Sequence, residues 1–127
     1  MMYKEINHTA DIAFEIKART FEELLKDILQ IIRENYKPKN INCAIKKRQN
    51  YFIKEDEDCI FDIVNDWIAA IDLGYFPVKI WKEDNFYITE FCSFKELEGE
   101  KFKALTYHQL KIEKTNGYFY TKVVFDV

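Results

Sequence analysis

The chain has 127 residues, 48% apolar and 32% charged, and its 19 basic and 22 acidic side chains leave a formal net charge of −3. That content excludes a disordered chain and lets one domain, spanning 1–127, bury a core without metal or disulfide staples. The charge balance also argues against a freestanding nucleic-acid binder, which shows a basic excess or a basic stripe.

The N-terminal "MMYKEINHT" lacks the apolar region of a signal peptide, and no apolar run reaches the ~20 residues of a membrane span. A soluble, cytoplasmic protein without membrane attachment is expected. Residues 3–6 predict a short strand. Residues 11–18 predict a second, with Ile12, Phe14, Ile16 and Ala18 on one face and Ala13, Glu15 and Lys17 on the other. "TFEE" then opens a helix, where Thr20 can cap and Glu23 can reach back. Its apolar stripe is Phe21, Leu24, Leu25, Ile28, Leu29 and Ile32, and it should stop before Pro38.

Residues 41–54 alternate as one long strand or a hairpin, and the basic run "KKRQ" at 46–49 reads as a solvated strand or turn. "EDED" at 55–58 places negative charge at the start of a second helix that runs to about residue 72. Strands follow at 78–82 and 86–94, joined by "EDN". Residues 101–113 and 118–126 then predict a hairpin around Asn116-Gly117. Two helices among strands that end in hairpins give an α+β fold, with both helices packed on a largely antiparallel or mixed sheet. Cys43, Cys59 and Cys92 form no C-x-x-C pair and sit in apolar patterns. They are expected as core thiols in a reducing compartment.

Candidate chemistry gathers at the two ends. Asp11 opens a strand, and Asp126 sits next to the last residue, Val127. Two strand-end aspartates are compatible with simple solvent exposure. If the strands meet, Asp11, Asp126 and the terminal carboxylate would repel one another unless a hard divalent cation with oxygen ligands sits among them. His8 and His108 lack zinc-ligand spacing, no phosphate-binding glycine loop or nucleophile motif is present, and Asp62 and Asp66 read as the wet face of the second helix.

"HTADIAFEI", "GEKFKALTYHQLKI" and the closing "VVFDV" together resemble the archease family, and "IFDIVNDWIAA" is similar to that family's middle helix. The resemblance spans essentially the whole chain and implies an archease-like α+β fold. It implies a non-catalytic accessory protein of the RtcB-type RNA ligase of tRNA splicing and RNA repair. Such a protein promotes guanylylation of the ligase's histidine and multiple turnover, and meets RNA only through the ligase. Asp11 and Asp126 match the family's metal-binding acids, with Val127 completing the site around a divalent ion, Ca²⁺ first and Mg²⁺ or Mn²⁺ as alternatives. Lys103, Thr106 and His108, from the K-A-x-T-Y-H pattern, and His8 are implied to serve ligase activation, with His8 and Thr9 shaping the loop that presents Asp11. Where many members carry a glycine after the first strand, this chain has "KARTFEE". The rival readings are a chaperone-like interaction module with no RNA-processing role, a small metal-dependent hydrolase using Asp11, Asp126 and His108, and a protein that binds RNA directly.

Overall fold

The computed structural model describes residues 2–7 and 11–127. Strand β1 (Tyr3–Asn7) pairs antiparallel with β2 (Asp11–Ala18). Helix α1 (Phe21–Tyr36) starts where the sequence predicts: Thr20 Oγ1 accepts from the Glu23 N–H at 3.1 Å. Glu23 in turn accepts from the Arg19 N–H at 3.1 Å, so the reciprocal box closes one residue earlier than its usual form. The helix ends at Lys37, which takes a left-handed conformation (φ 50°) just ahead of Pro38.

Strand β3 (Pro38–Lys39) pairs with β7 (Glu96–Leu97), and the chain after β7 closes the end of α1. The N–H groups of Glu98, Gly99 and Glu100 donate to the carbonyls of Lys37, Tyr36 and Asn35 at 2.9–3.0 Å. Carbonyls at a helix end have no partner within the helix, so this strap satisfies them. Its approach requires glycine: a Cβ on Gly99 would lie 1.8 Å from the Asn35 carbonyl oxygen.

Strand β4 (Asn42–Phe52) is single and continuous, with an irregularity between Asn42 and Lys46. Helix α2 (Glu57–Asp72) is capped by Asp56, whose Oδ1 accepts from the Cys59 N–H at 2.9 Å. Strands β5 (Tyr75–Glu83) and β6 (Phe86–Ser93) form a hairpin, and the three-stranded sheet runs in the order β4-β6-β5. Pro77 lies at a bulge in the edge strand β5, where a missing N–H is tolerated.

Strand β10 (Tyr118–Asp126) sits inside the other sheet. It pairs with β2 on one side and with β8 (Ala104–Leu105) and β9 (Glu113–Thr115) on the other. Asn116 and Gly117, at φ 53° and 78°, make the predicted positive-φ turn.

The core lies between the helices and both sheets. Phe21 of α1 contacts Tyr87 of β6 and Phe119 of β10, and Tyr36 contacts Phe76 of β5 and Phe102. Trp67 of α2, fully buried, donates from Nε1 to Thr89 Oγ1 at 2.9 Å. The architecture is α+β as expected: two helices on antiparallel sheets. No helix among the described residues is long and apolar enough to cross a membrane.

Two expectations are corrected. Residues 101–113 are not one strand: only 104–105 and 113–115 join the sheet, and the rest is irregular. The cysteines are not three core thiols either. Cys43 is exposed and bridged to Cys92, with a Cα–Cα separation of 4.8 Å, while Cys59 is free and buried. The antiparallel pairing of β4 and β6 brings the two together across 49 residues of sequence, a register that no local pattern encodes.

Candidate functional site

The register of β2 with β10 is unbroken from Phe119 opposite Ala18 to Asp126 opposite Asp11. Residues directly opposite in an antiparallel pair project from the same face, and like charges there repel. The first acidic residue of β2 and the penultimate residue of the chain are thus side-by-side carboxylates at the sheet rim. Asp11 is half-buried and Asp126 exposed.

Lys103 meets the same rim. Its N–H donates to the Asp126 carbonyl at 2.7 Å, and Ala104 is the next register partner of Asp126. Thr106 binds one residue pair further in: its N–H and its Oγ1 both donate to the Val124 carbonyl, at 2.9 and 3.1 Å. The His108 N–H donates to Thr106 Oγ1 at 3.2 Å, and the His108 side chain is exposed.

Side chains from the helices explain why this segment holds its shape without being a full strand. The Tyr36 hydroxyl accepts from the Phe102 N–H at 2.8 Å and donates to the Phe102 carbonyl at 3.1 Å. The Asn65 amide repeats the arrangement on Leu105, accepting from its N–H at 2.8 Å and donating to its carbonyl at 3.1 Å. Glu57 Oε2 accepts from the Ile112 N–H at 2.9 Å. Each does the work of a neighbouring strand for a buried or half-buried peptide group. Burial holds the Tyr36 phenol up at about 12, so it stays a neutral donor.

Beside this segment Tyr107 stacks on Phe61 of α2, with centroids 3.9 Å apart and planes at 12°. Its hydroxyl donates to Asp58 Oδ1 at 2.8 Å, and that carboxylate bond pushes the phenol up to about 12. Tyr51 donates to Asp66 at 3.0 Å, and burial is the main reason its phenol is also pushed up. Asp66 is therefore tied to β4, and both Asp62 and Asp66 lie on the exposed face of α2 as expected. The buried Cys59 thiol is pushed up to about 11, mainly by burial, which suits packing rather than nucleophilic attack.

Of the residues singled out from the sequence, Asp11, Asp126, Lys103 and Thr106 come together at one rim, with Val127 adjoining. His8 and Thr9 lie outside the described residues. No group of three or more His, Cys, Asp or Glu side chains able to hold a metal occurs among the described residues. A cation at the rim would need oxygens beyond the two carboxylates, from main chain, chain end or water. The donor set available, carboxylate and carbonyl oxygen, suits a hard ion. Sequence reasoning missed Tyr36, Asn65 and Glu57. The one signal for Asn65 is a short amide beside Asp66, between the apolar Val64 and Trp67 of α2.

Residues 3–127 match the model of the Archease protein family. Protein archease of Thermotoga maritima is 42% identical over 125 residues, covering 98% of this chain and 99% of that protein. Protein archease of Methanopyrus kandleri is 24% identical over 143 residues, covering both chains in full. The crystal structure of an archease, described as a possible chaperone, from Thermotoga maritima superposes with a TM-score of 0.84 at 42% identity, covering 100% of this chain and 98% of that one. A solution structure from Methanobacterium thermoautotrophicum shares the fold at 17% identity, with a TM-score of 0.71 and 98% of each chain covered.

Proposed function

The chain belongs to the archease family, and from that premise we propose that it is a non-catalytic activator of an RtcB-type RNA ligase in tRNA splicing and RNA repair. In this reading it promotes guanylylation of the ligase histidine and repeated turnover, acting as one domain in the cytoplasm. The observation that carries the reading is the direct pairing of Asp126 with Asp11, with the Lys103 main chain bound to Asp126.

Asp11 and Asp126 would hold a divalent cation, Ca²⁺ first and Mg²⁺ or Mn²⁺ as alternatives, with Val127 supplying a further oxygen. Bound there, the ion would offset the repulsion of the paired carboxylates and give the rim a positive centre for an anionic partner group. Lys103 sets a second charge on the same rim. Thr106 fixes the segment through Val124, and His108 and His8 are assigned to ligase activation on the family likeness alone. RNA is met through the ligase.

The test is ligase turnover with the enzyme limiting. Asp11→Ala and Asp126→Ala should each abolish stimulation while circular dichroism and melting stay native-like. Full stimulation by both variants would refute the reading. The description of the Thermotoga maritima structure as a possible chaperone favours a second reading, an interaction module with no RNA-processing role. Suppression of aggregation of unrelated unfolded proteins, without any effect on the ligase, would select it.

A further inference from the structure

The β4-β6-β5 sheet gives one face to α2, through Trp67 on Thr89 and Asp66 on Tyr51. On its other face the register sets Arg48, Glu90 and Lys79 in one row and Asn50, Ile88 and Trp81 in the next. With Lys26 and Leu29 of α1, the residues Arg48, Lys79, Trp81 and Glu90 line a groove of about 560 Å³. This is where the basic run of β4, otherwise unexplained, presents Arg48 to the molecule.

Three features of the groove belong together. Glu90 is only 7% exposed, yet its carboxylate is held by Arg48 alone among the described residues, Nη2 to Oε1 at 3.5 Å. A buried carboxylate with one long contact retains acceptor capacity for an incoming N–H donor. Trp81 is pinned by its Nε1 donating to Glu83 at 3.1 Å, and the Arg48 guanidinium lies 5.2 Å from its ring centroid. The Arg48 guanidinium, 61% exposed and backed by the indole, offers a flat face on which a planar heterocycle stacks. At the rim Lys79 has no ion-pair partner among the described residues, and Lys26 is paired with Glu22 on the exposed side of α1. An apolar ligand would leave Glu90 unmatched. An acidic peptide would bring anions but no flat N–H-bearing edge.

We propose that this groove binds a nucleotide unit, free or within a single strand, with its base on the Trp81–Arg48 platform, an N–H of the base edge donating to Glu90, and its phosphate against Lys79. The proposal goes beyond ligase activation and concerns the protein alone, so its failure leaves that reading untouched; binding of the strand would replace only its statement that RNA is met through the ligase.

Tryptophan fluorescence tests it on the full chain without ligase. Trp67 is fully buried on Thr89, so quenching by an added ligand reports Trp81. The four nucleoside monophosphates and a short single-stranded RNA are titrated separately, with inorganic phosphate as control. Saturable quenching by a nucleotide or by the strand is expected; the stronger of the two identifies the source. Lys79→Glu, at an exposed position, and Glu90→Gln should each weaken binding roughly tenfold, as loss of a charged contact does. Trp81→Phe should abolish the signal, and equilibrium dialysis should show weakened binding. Absence of saturable binding to all of these ligands overturns the proposal. So does quenching by inorganic phosphate alone, or unchanged affinity in Lys79→Glu and Glu90→Gln.

Discussion

Asp126 lies directly across the sheet from Asp11, and the Lys103 N–H closes the rim on the Asp126 carbonyl at 2.7 Å. Like charges facing each other across a strand pair cost about 0.2–1 kcal/mol. Asp126→Asn should therefore raise the stability of the metal-free protein slightly, by about 0.5 kcal/mol. The same substitution should erase any rise in melting temperature produced by Ca²⁺. Thermal melts of both proteins with chelator and with excess Ca²⁺ measure the two effects. A variant whose calcium response matches the wild type would show that the ion binds elsewhere.

The paired hydrogen bonds of Asn65 with Leu105 make α2 the support of the Lys103 segment. Asn65→Leu keeps the volume and strands one N–H and one carbonyl. Each unsatisfied group costs about 1–3 kcal/mol, so a loss of about 2–3 kcal/mol in urea melts is expected. Hydrogen exchange should speed up at Leu105 and Thr106 and stay unchanged in the β5-β6 hairpin. Tyr36→Phe should act likewise on Phe102.

Asp27 is almost fully buried in α1, with its Oδ2 accepting from the Met2 N–H at 3.2 Å. Burial is the main cause that raises its pKa above the ordinary 3.8. Between 3.8 and the raised value, the folded state therefore holds a proton that the unfolded state has already released. Stability contributed by this group is present below 3.8 and declines as pH rises through the raised value. Asp27→Asn keeps an acceptor for Met2 and removes the titration. Its stability should be flatter with pH above 3.8 than the wild type's, in chemical melts taken at steps from acid to neutral pH.

The Cys43–Cys92 bridge closes a loop of 49 residues and ties the irregular start of β4 to the end of β6. Closing a loop of that size stabilises a fold by about 2–4 kcal/mol. Reductant should lower the wild-type melting midpoint by a corresponding amount and leave Cys43→Ala/Cys92→Ala unmoved. The buried Cys59 should resist alkylation in the native protein under either condition.

The helices were readable because their signals are local. Thr20, Glu23 and a 3.6-residue apolar stripe mark α1, and an acidic start with Asp56 marks α2. Strand β2 was readable to the residue for the same reason, since its alternation has a buried face to report. Residues 101–113 misled because apolar and polar side chains alternate there too. The backbone of that stretch is held in part by the side chains of Tyr36, Asn65 and Glu57, at least 40 residues away in sequence. The bridge between Cys43 and Cys92 was hidden in the same way.

The sequence by itself determined the elements, the two acidic strand ends and the family likeness, because caps, periodicity and turn residues act over a few positions. Only the tertiary structure decided that Asp11 faces Asp126, that helix side chains hold the Lys103 segment, and that a buried carboxylate lies beside Trp81. Those relationships depend on strand register and on hydrogen bonds between distant segments. They are fixed when the apolar faces of both sheets close on the helices, and no local pattern carries that information.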